Sequence, residues 1–435
     1  MWTVQEVALG AKAQIISPKR SMDYDVFMSS LINWILIHSL YREDGSLRLE
    51  QGPEFTTLIS RMEIRTLVRL KRKQLLRTVW PSASSLCRIT AAQASIPSDK
   101  IFAVYGIMKE LGVTLPSPDY KTYLGDIYWK ACVAVMKHQN SLEPLELAIG
   151  SNWNPRTPSW VPDFQQRHFR YRNYPHFASK NDPGYQPVID MSKDYRFLST
   201  KAKIVDSVRG RIYWHADQEI ESHNMRVRLD NGSRTIREYT AAAHGFQSYV
   251  RAISKLKTRP ALYESHLVAL LAVVFQASIQ FPIHPKEDLT RRTRLFELIE
   301  MADTSPHQLR ASFESIKCNP SFQRGFGKDP NFNNLAYLPE VQLIGVIEEE
   351  GLLNDYVELC KISKGNAFFW TDRNYLGSAP QCVREGDIVA MIPGVRAPMI
   401  LRSSNSGRYH VIGIAYVYGL MNFNGWSDLT DIILE

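Results

Sequence analysis

Short β-type runs separated by glycines recur through the last hundred residues of this 435-residue sequence and constrain its fold more than any other feature. Glycine supplies the turn conformations that hairpins require. The runs lie at 341–347, 367–371, 387–392, 398–402 and 409–417. Short strands at such spacing are typical of small barrels, so we predict a small antiparallel β-barrel or rolled sheet across 338–421. An earlier alternating run at 194–208 is expected to join it.

Helical patterns fill much of the remaining chain. Apolar residues recur at core spacing along 123–138, and residues 235–315 return to a helical pattern. Asp99 is predicted to cap a helix that Gly112 ends. Prolines and tryptophans at 153–162 mark a domain edge. The predicted fold class is therefore α+β. Its predicted domains are a mostly helical 1–163, an aromatic loop with strands at 164–234, a helical insertion at 235–337 and a carboxy-terminal β domain at 338–435.

Cysteine and histidine spacing argue against metal and disulfide sites. The five cysteines are scattered without a C-x-x-C pair, and the eleven histidines show no H-E-x-x-H spacing.

The most apolar stretch, 267–283, is too short and too polar to span a bilayer. No secretory leader is apparent. We therefore expect no bound metal, no membrane span, and a protein of the cytoplasm or nucleus.

A basic stripe accounts for part of the net charge of +8. Cations recur every three or four residues along 61–77, while apolar residues fill other positions of the same predicted helix. Nucleic-acid binding would require aromatic interleaving or a recognised motif, and this stretch has neither. The stripe is interpreted as a solvated helix face, and nucleic acid is not an expected partner.

Two charged residues interrupt the apolar strand runs. Asp387 begins one run and Arg402 ends another. Burying either charge unpaired would cost several kcal/mol. We therefore predict that specific hydrogen bonds hold both side chains.

Five strings, in order, resemble blocks of fungal heterokaryon-incompatibility (HET) domain proteins. Four of them are Trp2-Thr3-Val4-Gln5-Glu6, Asp99-Lys100-Ile101-Phe102-Ala103, Pro118-Asp119-Tyr120 and Pro158-Ser159-Trp160-Val161-Pro162-Asp163. The fifth is a spaced set that resembles the common tail of these proteins: Gly386-Asp387, Pro398, Leu401-Arg402, Gly413, Tyr416-Val417, Gly419 and Met421. The sequence departs from the family at Ser98, Phe164 and Asn422-Phe423-Asn424.

The resemblance implies a role in fungal nonself recognition and programmed cell death, with another protein as partner. Blocks that precede the first string in family members do not occur here. The resemblance therefore implies an amino-terminally truncated member, in which a helical remnant of a HET (TIR-like) domain precedes the β domain.

Two other hypotheses remain open. HET domains resemble TIR domains, and this likeness makes Glu6 the candidate catalytic residue, with NAD as a candidate substrate and no cofactor. A carboxylate suits the positive charge that develops on ribose as nicotinamide leaves. A truncated domain is expected to lack the walls that orient ribose, so we expect no NAD hydrolysis. Alternatively, a HET-like protein has been repurposed within a metabolic gene cluster.

Overall fold

The computed structural model describes residues 14–16, 21–23, 26, 94–150, 156–165, 187–192, 196–213, 226–229, 232–235, 273, 285–317, 339–353, 355–356, 359, 366–421, 423 and 425–435. The amino-terminal half of the described chain contains β1 (Gln14–Ile16), β2 (Ser21–Asp23), α1 (Asp99–Phe102), α2 (Tyr105–Glu110), α3 (Leu124–Gln139), a 3-10 helix (Glu143–Leu147), β3 (Asp190–Met191), β4 (Leu198–Tyr213), β5 (Arg226–Leu229) and β6 (Gly232–Thr235). The carboxy-terminal half contains α4 (Pro285–Thr304), α5 (Pro306–Lys317), α6 (Pro339–Glu349), β7 (Asn366–Thr371), β8 (Leu376–Pro380), β9 (Ile388–Met391), β10 (Met399–Ser403), β11 (Tyr409–Ile414), β12 (Tyr416–Val417) and β13 (Thr430–Leu434).

Five strands close a mixed barrel. Strand β4 pairs antiparallel with β13 and β9, β9 pairs antiparallel with β10, and β10 pairs antiparallel with β11. Strands β11 and β13 run parallel and complete the ring. The expected barrel is therefore present within an α+β fold, but the prediction of a purely antiparallel sheet is wrong. A crossover through β12 and 418–429 brings β13 beside β11, and such a connection permits parallel pairing where a tight hairpin does not.

Strand β4 belongs to two sheets. Its first half lies in the barrel, and its second half pairs with β7, which continues to β8 and β12. The registers shift after Ile204 against β9 and after Val208 against β7, so the strand is irregular where it leaves the barrel. The prediction that the run ending at Val208 joins the later strands is confirmed.

The barrel and the helices that precede it share one hydrophobic core. On β4 and β13 the register aligns inward residues, namely Leu198 with Leu434 and Thr200 with Ile432, whereas Ala202 lies opposite the exposed Thr430 at the start of β13. Neighbouring positions point outward, as the exposed pair of Lys201 and Asp431 does. Leu198, Ala202, Ile432 and Leu434 belong to a buried cluster that includes Tyr128, Trp160 and Phe164. A second cluster packs the β7–β8 hairpin on the outer side of β9, β10 and β11.

The predicted helix at 99–112 is two shorter helices. Val104, with φ −108° and ψ 0°, separates α1 from α2. Gly112 ends the second helix with φ +88°, as predicted. The capping prediction for Asp99 is wrong, because Asp99 is the first residue of α1 and Ser98 precedes it without a side-chain cap. Helix α3 confirms the pattern at 123–138.

One predicted strand is a helix. The run at 341–347 lies within α6, where residues 342–347 are all buried. This helix contacts α4 and α5. A helix covered on several sides has apolar residues at consecutive positions, and periodicity alone does not distinguish it from a buried strand. Pro339 at its first position and its length favour the helix.

Candidate functional site at the junction of helices and barrel

The residues first proposed for catalysis and for the basic stripe lie outside the described residues. Glu6, the candidate acting on NAD, and the cations of 61–77 both fall there. The other four family-like strings and the barrel lie within the described residues. Three of those strings come together on the helical side of the junction.

Asp99 and Tyr120 join two of the strings. The Tyr120 hydroxyl donates to Asp99 Oδ1 at 2.7 Å, and this bond is the main reason that the pKa of Tyr120 is raised. The Tyr120 ring meets Phe102 edge-on, with centroids 5.0 Å apart. Next to it, Asp119 accepts from the Lys121 N–H and the Thr122 hydroxyl, which forms a local turn. The contacts of Tyr120 with Asp99 and Phe102 thus hold the two strings together at the surface, over the start of α1.

The third string, 158–163, contacts the barrel through Ser159 and Trp160. The Trp160 side chain is fully buried, and its Nε1–H donates to Arg196 O at 3.2 Å, just before β4. Phe164 packs edge-on against Tyr128 of α3. The Ser159 hydroxyl donates to Glu435 O and accepts from the Val411 N–H at 2.8 Å. This loop therefore contacts α3, β4, β11 and the residue after β13.

Arg396 fastens the 3-10 helix to the β9–β10 turn. Its Nε lies 3.0 and 3.1 Å from the two oxygens of Glu146, its Nη2 lies 2.7 Å from Oε2, and its backbone N–H donates to Oε1 at 2.7 Å. Glu143 adds a second carboxylate 2.9 Å from Nη2. Only 7% of the Glu146 side chain is exposed. Burial raises the pKa of Glu146, and the hydrogen bonds and charge of Arg396 oppose that rise without cancelling it.

Specific hydrogen bonds hold Asp387 and Arg402, as predicted, and the structure shows in addition that the two side chains form an ion pair in the barrel wall. The guanidinium contacts both carboxylate oxygens and also donates from Nη2 to Cys382 O at 2.8 Å. The carboxylate also accepts from the Arg384 N–H at 2.7 Å. Arg211 of β4 donates to Val383 O in the same loop. Two arginines and one aspartate therefore fix the loop between β8 and β9.

Glu435 gathers polar groups at the end of β13. Its carboxylate lies 3.4 Å from both Arg408 Nη1 and His410 Nε2. Burial raises the pKa of Glu435, but the Ser404 hydroxyl, His410 and Arg408 together outweigh it and leave the pKa lowered.

Glu435, Arg396 and Glu146 were not predicted from the sequence. Two glutamates one 3-10 turn apart, at 143 and 146, were the only available signal, and their arginine partner lies some 250 positions further on.

The arrangement is suited to holding surfaces together. Within the described part of the chain, no group of three His, Cys, Asp or Glu side chains is placed to hold a metal ion. Burial raises the pKa of the Cys132 and Cys382 thiols, which disfavours the nucleophilic thiolate at either position. The helices within the described residues are also too short or too polar to cross a membrane.

Comparison with known proteins gives one match. Residues 347–428 match the Het-6 beta-barrel domain, a heterokaryon-incompatibility-related domain. The matched range contains β7 to β12 and omits β4 and β13. No curated protein and no solved structure matches the chain significantly. The segment that contributes β7 to β12 is therefore similar to a heterokaryon-incompatibility-related barrel domain.

Proposed function

We propose that this chain acts in fungal nonself recognition and programmed cell death as a HET-type protein that contacts another protein. The observation that carries the proposal is the match of 347–428 to a heterokaryon-incompatibility-related barrel. Three further family-like strings, around Asp99, Tyr120 and Trp160, lie in the helical segment, which comprises residues 94–150 and 156–165 and shares the barrel's core. Their placement supports one HET-type unit in which helices and barrel act together.

The chemistry of the junction favours binding over catalysis. Its strongest polar groups, Arg396 with Glu146 and Arg402 with Asp387, are engaged with each other inside the protein. Charge pairs of this kind fix the relative position of two elements. A protein that must present a defined surface to a partner depends on such rigidity. We place the protein in the cytoplasm or nucleus, where a partner encountered after cell fusion would meet it.

Cell fusion tests the proposal. The full chain is expressed from an inducible promoter in a filamentous fungus, and heterokaryons with strains of differing incompatibility genotype are scored for viability. We expect death in some pairings and normal growth in others. Arg402→Ala, which leaves Asp387 buried without its partner, should abolish death, whereas Lys201→Ala on the outer face should preserve it. Immunoblots establish that each variant accumulates.

Uniform survival in every pairing, with the wild-type chain present, would count against the proposal. A direct assay separates it from the NAD-hydrolysing alternative, which rests on Glu6 through resemblance alone. The purified chain and Glu6→Gln are incubated with NAD, and released nicotinamide is measured. Nicotinamide release that disappears in Glu6→Gln would show that NAD hydrolysis, rather than recognition, is the primary activity. The metabolic alternative would instead be favoured by pathway genes beside this one.

A further inference from the structure

The seam between β11 and β13 contains a side chain in place of one backbone hydrogen bond. The Glu435 N–H donates to Tyr409 O at 2.9 Å, as a parallel pair requires. The next bond of a parallel ladder would run from the Val411 N–H to Glu435 O. Instead, the Val411 N–H donates to Ser159 Oγ at 2.8 Å, and the Ser159 hydroxyl donates to Glu435 O. The hydroxyl of Ser159 therefore occupies one rung of the barrel ladder.

We propose that this seam is a two-position coupling device between the helical segment and the barrel. In the docked position, Ser159 bridges Val411 and Glu435. In the undocked position, the loop carrying Ser159 withdraws and the Val411 N–H donates directly to Glu435 O. Both backbone groups are paired in either position, so the barrel ladder stays paired whether the loop that carries Ser159 is held or withdrawn. Two discrete arrangements of this kind are what a conformational signal needs.

The groups that hold the side chain and the N–H of Glu435 do not belong to the moving loop. Its carboxylate is held by Arg408 and His410, and its N–H is held by Tyr409, all from β11 or the turn before it. Withdrawal of Ser159 leaves these contacts in place, so the direct rung can form without a change of strand register. The docked position has its own anchors, because the Trp160 indole donates to Arg196 O and Phe164 packs against Tyr128.

Hydrogen–deuterium exchange of the full wild-type chain, resolved to single residues by mass spectrometry, is the first test. The Ser159 N–H donates to Glu435 O at 3.1 Å and is exposed whenever the loop withdraws. We expect this amide to exchange at least about ten times faster than that of Val411, since local openings expose only part of a structure. Equal rates for the two amides would mean that loop and rung open together, which overturns the inference.

Ser159→Ala is the second test, with Thr157→Ala as the matched control. Thr157 is in the same loop and is buried, but its hydroxyl faces Tyr123 inside the helical segment, 3.5 Å away. Loss of the Ser159 hydroxyl should speed exchange at position 159 and leave Val411 protected within about threefold, because the direct rung replaces the bridge. The control should leave both seam amides unchanged. Faster exchange of Val411 in Ser159→Ala would show that no direct rung forms.

The wild-type comparison decides the question even if Ser159→Ala does not fold. The inference rests on the seam geometry and does not depend on a role in nonself recognition. A chain that kills no heterokaryon can still show the two exchange rates, and a chain with equal rates can still kill.

Discussion

Arg402 and Asp387 form a two-pronged ion pair between β10 and the loop before β9. Nε lies 2.7 Å from Oδ1 and Nη2 lies 2.9 Å from Oδ2. The carboxylate is nearly inaccessible, with 2% of the side chain exposed, whereas the guanidinium retains 26%. Asp387 is thus the more deeply buried partner, and its charge is tolerated because Arg402 lies beside it.

The first prediction concerns removal of the guanidinium. Arg402→Ala removes the guanidinium from the buried Asp387 carboxylate, which retains the hydrogen bond from the Arg384 N–H, and it should lower the free energy of unfolding by about 3–5 kcal/mol. Lys201→Ala removes one member of an exposed pair at 3.7 Å and should change stability by less than about 1 kcal/mol. Urea unfolding followed by circular dichroism measures both. Equal losses in the two variants would contradict the assigned role of Arg402.

The Arg402–Asp387 pair also shows what sequence reasoning can reach. Both residues interrupt apolar runs, and the cost of an unpaired buried charge is large enough to predict that hydrogen bonds hold each of them. The strands around them follow from the same physics of turn glycines and β-branched residues. The pairing of β4 with much later strands was also predictable, because both have strand patterns and each needs a partner for its edge.

Other features depend on contacts that no local pattern encodes. Strand β8, with Gly377, Ser378 and Pro380, has poor strand formers and was missed. The parallel placement of β13 follows from its crossover, and the Ser159 bridge follows from that placement. The Arg396–Glu146 contact joins residues 250 positions apart, so only the folded chain reveals it. The helix at 341–347 was mistaken for a strand because burial on several sides hides helical periodicity.

The second prediction concerns pH. The folded-state pKa of Glu146 is raised above 4.5, so the folded protein binds this proton more tightly than the unfolded chain. The resulting stability is fully present below about pH 4.5 and is lost as pH rises through the folded-state pKa. Glu146→Gln lacks the titrating group and should therefore show a flatter fall in unfolding free energy over the same pH window. Chemical unfolding at a series of pH values measures the slope.

A matched control keeps this pH test specific. Asp431→Asn removes an exposed carboxylate from the outer face of β13, where 85% of the side chain is accessible. In this variant the unfolding free energy should change with pH at the same slope as in the wild type above pH 4.5. If Glu146→Gln and wild type show identical slopes, the burial of Glu146 does not control proton binding at the junction.

The third prediction concerns the point where β4 passes from the barrel to the second sheet. A Cβ at Gly210 would lie 2.2 Å from the Trp370 ring, because the indole covers this glycine on the neighbouring strand. Gly210→Ala should lower the unfolding free energy by about 1–3 kcal/mol and change the Trp fluorescence. Ser403→Ala, at an exposed position at the end of β10, should alter neither. An unchanged fluorescence spectrum in Gly210→Ala would show that the indole does not rest on this glycine.

The last prediction concerns the smallest unit that folds. The barrel-domain match covers 347–428, but β4 and β13, two of the five barrel strands, lie outside it. A fragment limited to 347–428 would leave the β4-facing edge of β9 and the β13-facing edge of β11 without their partners. It would also expose Leu401 and Val411, which pack with Trp160 and Leu434 in the intact core. Unpaired edges beside exposed apolar residues favour aggregation over folding.

We therefore expect the 347–428 fragment to be insoluble or to lack a cooperative unfolding transition, whereas 94–435 should unfold cooperatively. The longer fragment retains the barrel strands and the helical segment around Trp160, so it keeps the whole shared core. Thermal unfolding followed by circular dichroism distinguishes the two. A fragment ending at 428 but beginning at 94 isolates the contribution of β13, and it should be less stable than 94–435 because β4 and β11 then lack the strand between them. Cooperative unfolding of 347–428 alone would show that the matched segment closes without β4 and β13, and would separate the barrel from the helices as an independent unit.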